Sequence, residues 1–275
     1  MSAGQKRVVI ALYRSILKKC SLLSRFSAVA ANQKLVYLQA PIDFQEWGSY
    51  SFLDKDYDQT VLQALIPESA HQFLPSSTLL KSDEPRNIVR RAFQQQAARS
   101  ADSEQILERQ ADAFEALRSL GCQARLMQCT SVAETRGVWV MASAAQVHQE
   151  AFSQADAQDQ GYLFSYRVRV ENRSARTVQL VGRCWRIADA AGGAKAVPKG
   201  SPGVVGQQPV LRPGEIFQYQ SGTDLPTPTG FMEGSFQMVT LGGEAGESCP
   251  AESEEESKFF DAEVARFDLV AFDHY

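Results

Sequence analysis

Arg167-Val168-Arg169-Val170-Glu171-Asn172 opens the stretch whose reading decides the fold. It continues through Gly203-Val204-Val205-Gly206-Gln207-Gln208-Pro209-Val210, Pro213-Gly214-Glu215, Tyr219-Gln220-Ser221-Gly222 and Thr227-Pro228. Apolar and polar residues alternate in the first piece with the two-residue period of a strand. The later pieces join further short strands through Gly/Pro turns. No acid, base or nucleophile cluster sits in the stretch. The pattern specifies architecture rather than catalysis, and a binding module is expected, not an enzyme.

The same period extends on both sides. Val138, Val140 and Leu163-Phe164-Ser165-Tyr166 alternate ahead of the stretch. Within Val178 to Arg186, Leu180, Gly182, Cys184 and Arg186 fall on one face, and Val181, Arg183, Trp185 and Ile187 on the other. Asp189 to Gly193 is a turn cluster; Phe217, Tyr219 and Phe231 to Val239 supply more strands. Several short strands separated by Gly/Pro turns indicate an antiparallel sandwich, with Trp139 and Trp185 in its core. Gly242 to Glu256 is acidic and Gly/Ser-rich, too poor in apolar surface to offset its ordering cost, and reads as a disordered loop.

The order of these pieces resembles the ApaG domain. The matching elements are Tyr166 to Asn172, Thr177-Val178-Gln179-Leu180, Trp185, Gly203 to Gly206, Gln208-Pro209-Val210, Pro213-Gly214-Glu215, Ser221-Gly222, Thr227-Pro228, Gly230, Met232-Glu233-Gly234 and Met238. The resemblance covers about residues 135–272 and implies a fibronectin-like β-sandwich. Two places depart from the family. Gly200-Ser201-Pro202-Gly203 puts two residues between the first glycines of the family loop, and Val264-Ala265 stands where the family carries Ile-Pro. Gly200, Gly203 and Gly206 form a candidate anion loop. A phosphate cradle needs a helix after the glycines. Here Gln207-Gln208-Pro209 and a strand follow, so a turn is the stronger reading.

The first half reads as helices. Over residues 5–23, Val9, Leu12, Tyr13, Ile16 and Leu17 make one apolar stripe, with Arg7, Arg14 and Lys18 aligned on another face. A second helix opens at Ser82 or Asp83 with Pro85. A third runs from Glu104 to Leu120, with Ile106, Ala113, Leu117 and Leu120 on one face, capped by Asp102 or Ser103 and ended by Gly121. Between the first two lies an aromatic segment, about 27–81, with Tyr37, Phe44, Trp47, Tyr50, Phe52, Tyr57 and Phe73; two helical turns are expected at Asp58 to Leu65.

Leu12-Tyr13-Arg14 on the first helix and Arg86-Asn87-Ile88-Val89-Arg90-Arg91-Ala92-Phe93 on the second resemble the LYR-motif family, small three-helix proteins of mitochondria. That family connects its first two helices more briefly than the 27–81 segment does. The resemblance implies binding of mitochondrial acyl carrier protein, whose acyl-phosphopantetheine arm inserts between the helices. The chain would then need no cofactor of its own. Carried over by motif, Leu12, Tyr13 and Arg14 with Lys18 form the first part of the partner-binding face. Arg86, Arg90, Arg91 and Phe93 form the second.

Composition bounds the rest. Residues 1–130 hold 16 Lys and Arg against 13 Asp and Glu; residues 131–275 hold 12 against 19. No acid precedes Asp43, and a basic, acid-free, amphipathic start has the character of an organelle-import sequence. The basic excess is too small for a phosphate-tracking surface, so direct sequence-specific nucleic-acid binding is not expected. Five cysteines without a CxxC pair suggest reduced thiols, and three scattered histidines offer no metal spacing. No apolar run approaches the ~20 residues of a membrane span.

The sequence therefore predicts an α+β, multidomain chain. Residues 1–125 form a three-helix LYR-like bundle with the 27–81 insert, 126–134 a linker, and 135–272 an antiparallel, fibronectin-like, ApaG-like sandwich. The expected function is that of a non-enzymatic mitochondrial adaptor on the matrix side, an accessory subunit or assembly factor of a large complex. It has no catalytic or metal residues. The alternatives are a small-anion or nucleotide-binding sandwich with a helical cap, and an adaptor for iron–sulfur cluster delivery.

Overall fold

The computed structural model describes residues 2–23, 28–30, 33–36, 38–42, 44–53, 60, 63, 68–73, 80–81, 84–98, 103–147, 161–241 and 258–272. Two compact units make up the chain: Met1–Pro41 with Lys55–Gln128, and Ile42–Asp54 with Cys129–Tyr275. Both the 242–256 insert and most of Asp58 to Leu65 lie outside the described residues.

The first unit holds α1 (Ala3–Leu23), α2 (Glu84–Ala98) and α3 (Ser103–Gln128), with three short strands β1 (Ala28–Ala30), β2 (Gln33–Val36) and β4 (Leu80–Lys81) pairing in the order β1-β2-β4. α1 packs against both α2 and α3. Its buried stripe is Leu12, Ile16, Cys20 and Leu23, spaced four, four and three residues apart. Val9, Tyr13 and Leu17, expected in that stripe, flank it half-buried. α3 does not stop at Gly121 but runs on to Gln128. Gln123, Ala124, Leu126 and Met127 are all buried, and that burial outweighs the ~1 kcal/mol cost of an internal glycine. Gln123 also works as an adhesive. Its side chain accepts from the Gln39 amide at 3.0 Å and donates to the Gln39 carbonyl at 2.6 Å, satisfying both polar groups of a buried backbone position.

The second unit is two antiparallel five-stranded sheets. One has the order β3-β11-β7-β6-β5, from β3 (Tyr50–Leu53), β11 (Ile216–Leu225), β7 (Tyr162–Asn172), β6 (Val138–Gln146) and β5 (Thr130–Thr135). The other runs β10-β8-β12-β13, with β9 also on β8: β8 (Val178–Asp189), β9 (Ala194–Pro202), β10 (Val210–Leu211), β12 (Thr229–Thr240) and β13 (Phe259–Val270). Between the sheets lies one core that includes Val140, Phe164, Val168, Trp185, Phe217, Phe236 and Phe267. Trp185 meets Phe236 and Phe267 edge-on, with centroids 5.8 and 6.2 Å away.

Four sequence expectations are corrected here. Residues 126–134 are not a linker; they hold the last residues of α3 and nearly all of β5. The aromatic segment is divided, because its residues 42–54 belong to the sandwich unit and supply β3. Strict alternation fails in β8. Gly182 pairs with Gln237 and Leu180 with Met238, so Val181 has no partner across the ladder. This bulge lets Leu180 and Trp185, assigned to opposite faces by counting, share one core. Trp139 is buried but not in that core. It stands on the other face of its sheet, with the Arg173 guanidinium 4.3 Å from its ring centroid. Met141, Ser143, Arg167 and Arg169 are buried on that face too.

Candidate functional site

Two helices carry the residues of the expected partner-binding face. α1 places Leu12 in its buried stripe, which leaves Tyr13 half-buried beside it and Arg14 and Lys18 exposed. Along α2, Pro85 and Ile88 are buried, Phe93 is half-buried, and Arg90 and Arg91 are exposed. The fold brings Tyr13 and Phe93, eighty positions apart, into ring contact with centroids 4.9 Å apart and planes inclined by 49°. Leu12, 5% exposed, lies in the apolar stripe expected of it. Arg86 turns inward, and its Nε is buried without a hydrogen-bond partner.

The inward turn of Arg86 brings a cation to Cys20, a pairing that no sequence spacing announced. Burial pushes the Cys20 thiol up to about 12, against the opposing pull of the Arg86 charge. Cys129 is pushed up to about 12 as well, first by burial and then by the Asp268 carboxylate. Both thiols therefore stay protonated and shielded, whereas Cys122 is exposed on α3. In the folded protein at pH 8, iodoacetamide is expected to alkylate Cys122 and to spare Cys20 and Cys129 until denaturant is added. Peptide mass spectrometry checks this, and early alkylation of Cys20 would contradict its placement.

The glycine loop is a turn in which four backbone amides are already spent on the protein itself. The Gly203 amide donates to the Val181 carbonyl at 3.0 Å, and Val204 and Gln207 exchange backbone hydrogen bonds at 2.8 and 2.7 Å. The Gly200 amide donates to Gln237 Oε1 at 3.3 Å. Glycine is required at 203, where φ is +54° and a Cβ would lie 2.2 Å from the Gln207 carbonyl oxygen. Arg183 donates to the Pro202 and Gly203 carbonyls, so the nearby cation is occupied by the loop itself. Of the loop glycines singled out by sequence, Gly200 and Gly203 have no free amide to offer an anion.

Among the described residues no group of three or more His, Cys, Asp or Glu is placed to hold a metal ion. Nor is any described helix long and apolar enough to cross a membrane.

Residues 152–240 match the family model of the ApaG domain. Protein ApaG of Rhodospirillum centenum is 53% identical over 94 residues, 34% of this chain and 71% of that protein. ApaG of Methylorubrum extorquens is 45% identical over 116 residues, 42% of this chain and 85% of that protein. An X-ray structure of a Northeast Structural Genomics Consortium target shares 29% identity, covers 52% of this chain and 97% of its own, and superposes with a TM-score of 0.39. The residues that match the family model lie in the sandwich unit, and through it the chain belongs to the ApaG family.

Proposed function

We propose that this protein is a non-enzymatic adaptor on the matrix side of mitochondria, either an accessory subunit or an assembly factor of a large complex. A respiratory complex, the ATP synthase and the mitochondrial ribosome all fit the reading. Its helical unit binds acyl carrier protein, and its ApaG sandwich binds other subunits. The observation that carries this reading is the 4.9 Å contact of Tyr13 with Phe93, on two helices that leave Arg14, Lys18, Arg90 and Arg91 exposed. A chance tripeptide has no reason to meet the motif's phenylalanine.

The physics of the partner follows. An acidic carrier is steered and oriented by the exposed cations. Its acyl chain contributes about 0.8 kcal/mol for each methylene removed from water. The chain supplies no cofactor; the acyl-phosphopantetheine arrives on the carrier. Spent amides in the glycine loop weigh against the small-anion alternative.

Purification of the tagged protein from its own cells in gentle detergent, followed by mass spectrometry, tests the reading. Acyl carrier protein together with one complex's subunits is expected. A protein recovered without the carrier would remove the proposal. Carrier with iron–sulfur assembly proteins, but no complex subunits, would replace it with cluster delivery.

A further inference from the structure

Without β3, β11 would be the outermost strand of its sheet, and β3 lies outside the residues that match the family. An outermost strand presents a row of unused backbone donors and acceptors. In this chain β3 takes that row, in four pairs from Leu53 opposite Ile216 to Tyr50 opposite Tyr219. The contact continues beyond the strand. Gly48 donates its amide to the Gln220 carbonyl at 2.9 Å, and the Gln220 amide donates to the Ser49 carbonyl at 3.1 Å.

Two side-chain features give this edge selectivity. The Trp47 indole lies against Gly222, where an added Cβ would stand 2.2 Å from the ring, so only glycine leaves that shelf open. Glu46 accepts a hydrogen bond from the side-chain amide of Gln220, which is 2% exposed. Gly48, at φ +77°, turns the chain from the helical turn Phe44–Glu46 into the strand. A ladder, a shelf for one aromatic side chain and a polar anchor are the parts of a site that recognises a peptide by strand addition.

The occupant is held lightly. Among the described residues, ten pairs join β11 to β7 and four join it to β3. Trp47, Tyr50 and Phe52 remain 37, 46 and 57% exposed, so a large share of their apolar surface stays in water even in the docked strand. Short segments with few buried contacts open at low free energy. We infer that the β11 edge is a peptide-docking site, and that residues 44–53 are its exchangeable occupant in cis. The partner it fits is an extended segment carrying an acid, a tryptophan and a glycine ahead of an aromatic strand. Such a segment displaces β3 and gains the same ladder. This inference stands on the sandwich unit and does not depend on carrier binding.

The test is a titration of the full-length chain with a fluorescein-labelled peptide copying residues 42–54, read by fluorescence polarisation. The Trp47→Ala chain, whose own segment has lost its anchor, is expected to bind the peptide at least tenfold more tightly than the wild type. A peptide carrying alanine in place of Trp47 should bind at least tenfold more weakly to that same variant. No saturable binding to a folded Trp47→Ala chain, or equal binding of the two peptides, overturns the inference. Should Trp47→Ala fail to fold, hydrogen exchange on the wild type decides. β3 amides exchanging well ahead of those of β7 support exchangeability, and equal rates overturn it.

Discussion

The double reversal Arg14→Glu with Arg90→Glu is expected to weaken acyl carrier protein binding about 100-fold at low salt, which corresponds to about 3 kcal/mol. Both side chains are exposed, one on α1 and one on α2, so neither supports the packing of its helix. Thermal unfolding of the variant should therefore match the wild type, which separates a lost contact from a lost fold. The salt dependence is the second readout. Affinity of the wild type should fall as ionic strength rises and the Debye length shortens, and the variant should show a flatter slope. Single reversals should each cost less than the pair. Undiminished binding by the double variant, measured by calorimetry at two salt concentrations, would remove the electrostatic part of the account.

The second large effect falls on stability, at Asn172. Its side chain is fully buried at the end of β7 and uses all of its hydrogen-bonding capacity. Nδ2 donates to the Arg176 carbonyl at 2.7 Å and to the Leu211 carbonyl at 2.9 Å. Oδ1 accepts from the Ser174 amide at 3.0 Å and from the Ser174 hydroxyl at 2.7 Å. One amide thus fixes the turn after β7 and holds β10 to it. Asn172→Asp keeps the shape but sets a carboxylate against two carbonyl oxygens in a dry site. Such a change is expected to cost about 3 kcal/mol or more, and to lower the melting temperature by about 10 °C at pH 7. The sign of its pH dependence is fixed. Burial, with the second carboxylate oxygen set against the Arg176 and Leu211 carbonyls, outweighs the two Ser174 donors and raises the folded pKa of the new carboxyl above its unfolded value. The deficit is therefore largest at neutral pH and shrinks as pH falls and the carboxyl takes up a proton, which restores one donor. Melting curves of both proteins at pH 7 and pH 4.5 check this; a difference under 1 kcal/mol at pH 7 would contradict the network.

What the sequence could and could not reveal divides along physical lines. The strands of the sandwich were legible because Arg167 to Asn172 and Val178 to Arg186 carry the two-residue period, which needs no knowledge of partners. What lay beyond reach depended on something distant in the chain. The bulge at Val181 shifts Trp185 into register with Leu180, and only the pairing with β12 reveals it. Arg167 and Arg169 alternate with valines as a solvated face would, yet both are buried. β3 is four residues in an aromatic segment, and its place beside Phe217 is set by Gly222 and Gln220 far downstream. Gly121 carried a local stop signal that the buried residues after it overrode. At the candidate face, a family resemblance singled out Tyr13 and Phe93 separately, but only the structure shows that they meet, because no periodicity links residues on separate helices. A motif names residues but not which way each one turns, and the buried Nε of Arg86 shows the difference.

The most direct measurement is a calorimetric titration of the intact protein with purified mitochondrial acyl carrier protein in its acylated, holo and apo forms. The account predicts that the acylated carrier binds at least tenfold more tightly than the apo form, because only it delivers an acyl chain to the helices. No binding of any form, or equal affinity for all three, would contradict it.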